Sequence, residues 1–140
     1  MKHRNKILAL TILLSLFVGG SLPAEQAQIG ETEFRSHCAG CHGLDGTGNG
    51  PFVEFLKVTP NSLTTLAQEN EGVFPFRRVY DVIDGTNEIA AHGTKDMPVW
   101  GQRYAAEIIA QYGEFGSAHP GTVRCRILEL VFFLSTLQEP

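Results

Sequence analysis

The sequence predicts an all-α fold in which three to five helices are joined by long loops. Three observations lead to this expectation. Apolar residues recur at helical spacing in several short stretches. The 140 residues include 15 glycines and 7 prolines, and those between residues 40 and 121 favour loops there. After the first 24 residues, no stretch alternates apolar and polar residues as a pair of strands does.

Residues 1–24 have the parts of a cleaved export signal. Lys2, Arg4 and Lys6 give a positive start, an apolar run over residues 7–18 follows, and small residues lead to Ala24. The run is short for a membrane span, so no permanent membrane anchor is expected. We predict a signal peptide over residues 1–24 and one domain over residues 25–140.

The charge of the remaining chain excludes one class of partner. Three of the 11 Lys and Arg residues lie in the leader, so 8 basic residues face 15 acidic ones and the net charge becomes −7. No basic patch is present that could neutralise phosphates. A nucleic acid partner is therefore not expected.

Five segments are expected to be helical. The clearest is residues 76–84, where apolar residues fall at i, i+3, i+4 and i+7 and Gly85 supplies the stop. The longest begins at Thr122, which can cap a helix. The five segments are residues 30–38, 62–68, 76–84, 104–112 and 122–138.

The motif Cys38-Ala39-Gly40-Cys41-His42 carries the chemistry. Two cysteines three residues apart lie on one face of a helical turn, where each can add to a vinyl group of a haem, and the next His can ligate the iron. A disulfide, a thiol redox pair or half of a zinc site are the alternatives. A zinc site needs two more ligands and a redox pair needs a βαβ context, and the sequence offers neither.

Over about residues 29–138, the chain resembles the bacterial class I cytochromes c, which carry one haem. Four features carry the resemblance: Gly30 and Phe34 on the first helix, the Cys-x-x-Cys-His motif, a glycine-rich loop that ends at Pro51, and the segment Met97-Pro98-Val99-Trp100-Gly101. The resemblance implies a small cytochrome c fold wrapped around one haem. It also implies close contact of Gly30 and Phe34 with the last helix, for which Leu130 and Phe133 are plausible partners.

The resemblance further implies a set of site residues. Haem c would be bound through two thioethers at Cys38 and Cys41, with His42 as an iron ligand. The carbonyl oxygen of Pro51 would accept a hydrogen bond from the proton-bearing ring nitrogen of His42 and so fix the tautomer of the imidazole. Trp100 either packs beside the ligand loop or donates its indole N–H to a haem propionate.

Met97 and His92 compete to be the sixth iron ligand. Met97 is favoured because it is the one methionine left after the leader is removed, and because Pro98 pushes it into an extended conformation. A thioether also favours Fe(II), as an electron carrier in an oxidising chain requires. His92 would then be a nearby loop residue.

Some side chains allow two interpretations. Arg77, Arg78 and Arg103 are candidates to pair with haem propionates, and each is otherwise an ordinary surface arginine. Cys125 is expected to be a buried, inert thiol, although an odd cysteine in an exported protein also raises an intermolecular disulfide.

The expected function is electron transfer in the bacterial periplasm, without enzymatic activity. Iron would cycle between Fe(II) and Fe(III) with both axial positions filled, and the acidic surface favours redox partners with basic or apolar docking faces. The alternative is a haem-bearing subunit of a larger oxidoreductase, such as a dehydrogenase or terminal oxidase. Tyr104, Ile108, Ile109 and Tyr112 are spaced to cover the wide apolar face of the last helix, and a face left uncovered would favour that alternative.

Overall fold

A computed structural model of the chain describes residues 22–86, 97–113 and 120–140. These residues form five α-helices and no strand, which confirms the all-α prediction. Short 3₁₀ turns lie at Val53–Phe55 and Gln68–Asn70. The five helices are α1 (Leu22–His37), α2 (Ala39–His42), α3 (Phe76–Asp84), α4 (Trp100–Tyr112) and α5 (Pro120–Thr136).

The contact between the first and last helices is the centre of the fold. A side chain at Gly30 would collide with the backbone carbonyl of Glu129, so only glycine lets α1 and α5 approach this closely. One turn later Phe34 is fully buried, and its ring lies 5.4 Å from that of Phe133. Leu130 is buried in the same core. The predicted contact of Gly30 and Phe34 with the last helix is confirmed.

The helix boundaries match the predicted ones at α3 and differ from them elsewhere. The segment 76–84 is matched in full because Gly85, with φ of 85°, ends α3 in the left-handed conformation. Helices α1 and α4 begin earlier than predicted, at Leu22 and Trp100. In place of the helix expected over residues 62–68, bends lead to the 3₁₀ turn at Gln68–Asn70. Tertiary packing therefore decides where these segments become helical.

Helices α3 and α4 meet closely at their facing ends. A Cβ at Gly85 would collide with Val99, and a Cβ at Gly101 would lie 2.7 Å from the carbonyl oxygen of Asp84. The segment Met97–Val99, which leads into α4, is thereby held against the end of α3.

Helix α4 covers part of α5. Tyr104 and Ile108 are buried, whereas Ile109 and Tyr112 are exposed, as is Leu128 on α5. The expected covering role holds for Tyr104, which belongs to the same buried core as Leu130 of α5. Within the described ranges, no helix combines the length and hydropathy that a membrane span requires.

Candidate functional site

The Cys-x-x-Cys-His motif forms a short helical turn that continues the line of α1. Cys38 donates its backbone N–H to the carbonyl of Phe34 at 2.8 Å, and His42 donates its own to the carbonyl of Cys38 at 2.9 Å. Cys38 and His42 are buried, and Cys41 is half-buried. All three cysteines of the chain are described, and none is in a disulfide.

The glycine-rich loop closes the end of this turn with backbone hydrogen bonds. The N–H groups of Gly48, Gly50 and Phe52 donate to the carbonyls of His42, Cys41 and Gly40, at 2.7, 3.1 and 2.8 Å. A helix end otherwise leaves these carbonyls without partners. A Cβ at Gly50 would collide with the backbone of residues 39–41, so glycine is required there for the loop to lie so close.

Within the loop, Asp45 fixes the turn. Its carboxylate accepts the backbone N–H of Thr47 at 3.1 Å and the Thr47 hydroxyl at 2.9 Å. These hydrogen bonds lower the pKa of Asp45 because they favour the charged form. The loop that surrounds His42 is therefore held by local contacts.

A pocket lies between the helices. Cys38 and His42 line it from the motif, and Met97 and Trp100 line it from the start of α4. The remaining walls are mainly apolar and come from α1, the segment 61–75, α3 and α5. They include Val79, Ile83, Leu130 and Leu134.

The residues of this pocket fit a haem. An imidazole and a thioether, which are the axial ligands of many cytochromes c, face the same space from different elements. A thiol that can carry the thioether bond lies beside them. The apolar walls supply the surroundings that a large aromatic ring requires.

Polar groups at the pocket distinguish among the three arginines named from the sequence. Arg78 lines the pocket together with Asn61. Arg77 instead forms an ion pair with Asp81 at 2.7 Å, and the guanidinium of Arg103 lies 5.1 Å from the centre of the Trp100 ring. Arg78 is therefore the arginine placed to meet a carboxylate inside the pocket.

Trp100 is a packing residue of the pocket wall. It is 5% exposed, and its ring lies 5.5 Å from that of Tyr104 and 5.2 Å from that of His37. Pro51 is exposed and borders a shallow surface depression beside Gly40 and Gly43, outside the pocket. The role of its carbonyl toward His42 stays a prediction. His92 lies outside the described residues, so its competition with Met97 also stays open.

Before a thioether bond forms, the Cys38 side chain strongly favours the neutral thiol over the thiolate. Burial, reinforced by the nearby charges of Glu33 and Cys41, raises its pKa to about 12. The thiol is therefore neutral at physiological pH in the folded chain. Thioether formation removes this titration altogether.

The sequence does not indicate the polar cluster that lies beside the pocket. Glu33 on α1 accepts hydrogen bonds from the Tyr104 hydroxyl at 3.1 Å and from the Arg126 guanidinium at 2.9 Å. Tyr104 is fully buried, and burial together with Glu33 raises its pKa far above the usual value. The one local signal was the spacing of Glu33 and His37 on α1, where a carboxylate oxygen of Glu33 lies 3.6 Å from Nε2 of His37. Tyr104 and Arg126 are too distant in sequence for any pattern to pair them.

The prediction of a buried thiol at Cys125 is wrong. This residue is exposed on α5. Its helical position places it beside Leu128, which is itself exposed, rather than beside the buried stripe of Ile127 and Leu130. An exposed cysteine is accessible to solvent reagents and to other chains.

The all-α fold and a pocket shared by imidazole, thioether and thiol groups define a c-type cytochrome. A comparison with protein families agrees: the family described as cytochrome c oxidase, cbb3-type, subunit III matches residues 25–112, which is more than half of the chain. The chain belongs to this family. It carries covalently bound haem c and transfers electrons with redox partners. Neither a curated protein nor a solved structure matches the chain.

Proposed function

We propose that this chain is a periplasmic electron carrier with one haem, in which His42 and Met97 ligate the iron. The bound haem supplies one-electron chemistry, its iron alternating between Fe(II) and Fe(III). The observation that carries the proposal is the shared pocket. His42 and Met97 come from segments more than fifty residues apart, and both line the same space as Cys38.

The residues of the chain would hold and tune the cofactor rather than react with a substrate. Cys38 and Cys41 would fix the ring by thioether bonds, and Pro51 would orient the His42 imidazole through its carbonyl. Arg78 would neutralise a propionate at the pocket. With His42 and Met97 occupying both axial positions, the iron has no place for a substrate, which supports electron transfer without catalysis.

The ligand proposal is tested by replacing Met97 and His92 in turn. Met97→Ala should abolish the weak red absorption of the sulfur–iron(III) bond, lower the reduction potential and open the iron to imidazole. His92→Ala should leave the spectrum nearly unchanged. The opposite pattern would make this a cytochrome with two histidine ligands and a much lower potential.

The carrier is favoured over a subunit by the way α4 packs. Tyr104 lies in the same buried core as Ile127 and Leu130, so α4 covers part of the apolar face of α5. The net charge of −7 after removal of the leader suits a freely diffusing protein with basic or apolar partners. Export by the signal peptide over residues 1–24 is part of the same proposal.

The second candidate is a haem-bearing subunit of a larger periplasmic or membrane-associated oxidoreductase. It is favoured by the exposed side chains of Ile109, Tyr112 and Leu128, of which Tyr112 is 64% exposed. Gel filtration of the protein from its native host separates the two. A carrier elutes as a small protein that is reduced and reoxidised alone, whereas a subunit co-elutes with a catalytic chain.

A further inference from the structure

The half-buried cluster around Glu33 joins three helices. Both carboxylate oxygens of Glu33 accept hydrogen bonds from Arg126 on α5, and the second oxygen also accepts the hydroxyl of Tyr104 on α4. The Arg126 guanidinium lies 3.9 Å from the centre of the Tyr104 ring. Nη1 of Arg126 donates a hydrogen bond to the carboxylate of Glu107 on α4 at 2.9 Å. A charged pair this well bonded is geometrically specific, because each member restricts the others.

Packed aromatic rings connect this cluster to the pocket. Tyr104 packs against Trp100, one helical turn earlier on α4, and Trp100 forms part of the pocket wall. Met97 lies three residues before Trp100 and lines the same pocket. The position of the first turn of α4 therefore sets the position of the Met97 thioether.

The cluster is also connected to the attachment motif, on the opposite side of the pocket. Glu33 lies five residues before Cys38 on the helix that runs into the motif. One group of side chains thus connects α1, which leads into the attachment motif, with α4, which follows Met97. Arg126 completes the connection from the last helix.

We propose that Glu33, Tyr104 and Arg126 are positioning residues that hold the first turn of α4 against the pocket and thereby keep Met97 on the iron. This inference rests on the proposed ligation by Met97. The three residues act on the iron only through Trp100 and the Met97 segment. Weakening the cluster loosens the thioether while His42 and the thioether bonds of the haem stay in place.

The test compares variants of the haem-loaded protein by imidazole binding to the ferric form. Imidazole occupies the iron only when the thioether has left, so its apparent dissociation constant reports how firmly Met97 is held. Tyr104→Phe keeps the ring and its packing and removes only the hydroxyl that bonds Glu33. It should tighten apparent imidazole binding by about tenfold, since a hydrogen bond to a charged group is lost. Arg126→Gln should have a larger effect and weaken the red sulfur–iron absorption.

A matched control separates positioning from general stability. Thr64 also donates a hydroxyl to a carboxylate, that of Glu139 at 2.7 Å, but it is not part of the pocket wall. Thr64→Val should lower the denaturation midpoint and leave imidazole affinity unchanged. Should Arg126→Gln fail to fold, Tyr104→Phe still gives the answer.

The outcomes are distinct. Tighter imidazole binding in Tyr104→Phe but not in Thr64→Val supports the inference. Parental affinity in Tyr104→Phe overturns it, provided that Met97→Ala loses the sulfur–iron absorption, and the proposed ligation then stands alone. If the parent protein has no such absorption, the proposed ligation and this inference both fail.

Discussion

The two sides of the pocket are built in different ways. On the His42 side, the motif and its glycine-rich loop lie within residues 38–52 and are joined by backbone hydrogen bonds between near neighbours. On the Met97 side, the pocket wall is held by side chains that come from distant parts of the chain. The bond from Tyr104 to Glu33 spans 71 residues, and that from Arg126 to Glu33 spans 93.

This difference separates attachment from tuning. A cradle of backbone hydrogen bonds between near neighbours depends on a short stretch of sequence, so it suits the task of presenting His42 and the two cysteines. A side-chain cluster between helices responds to substitutions anywhere in it, because its members share hydrogen bonds. The Met97 side is therefore the side on which the properties of the iron can be adjusted without loss of the haem.

The strongest way to break both sides at once is to prevent attachment. The Cys38→Ser, Cys41→Ser double variant should give an exported chain without stable tertiary structure, because the apolar pocket walls would then be exposed to solvent. Near-ultraviolet circular dichroism and limited proteolysis measure this. A compact, protease-resistant chain without haem would show that the protein alone organises the two sides.

The parent protein supplies the reference for that experiment. Mass spectrometry after denaturation should find one haem retained on the chain. A thiol reagent should modify one cysteine in the folded protein, since Cys125 is exposed and the other two are consumed. Extraction of the haem into acidified ketone would contradict covalent attachment.

A smaller change should break the His42 side alone. At Gly50 an added methyl group meets backbone atoms rather than a flexible side chain, so the loop must move away from the motif. Gly50→Ala should lower the free energy of unfolding by about 1–3 kcal/mol, the usual cost of overpacking. Chemical denaturation of the haem-loaded protein measures the change.

Gly121 offers the matched control for this substitution. It lies in the first turn of α5 with open space around it, and alanine is the better helix former there. Gly121→Ala should therefore leave the unfolding free energy unchanged or slightly higher. Equal losses in both variants would mean that the close approach at Gly50 contributes nothing.

What could be read from the sequence follows the same division. The motif and the turn of glycines depend on short patterns, and the structure has them where they were expected. The contact of Gly30 with α5 was expected from the family resemblance, and the structure has it as well. The assignment to the c-type cytochromes, with covalently bound haem c, followed from the motif and the resemblance built on it. The Glu33 cluster could not be predicted, since nothing local pairs Glu33 with Arg126. The exposure of Cys125 was missed because a wide apolar helix does not reveal which of its edges faces solvent.

The smallest expected effect lies between the two sides, at Glu129 on α5. Burial raises the pKa of its carboxyl group above the ordinary value, and the nearby charge of Glu33 raises it further. A carboxyl whose pKa is higher in the folded state than in the unfolded state favours folding at low pH, where both states are protonated. That contribution is lost as the pH rises through the folded pKa, so ionised Glu129 weakens the fold at neutral pH. Glu129→Gln should therefore raise the melting temperature at pH 7 by on the order of 1–2 °C. The gain should disappear as the pH falls below about 4.3, the ordinary pKa of glutamic acid. A gain that persists at low pH would mean that the amide stabilises α5 by packing, and that repulsion between Glu129 and Glu33 does not limit the stability of the helix contact.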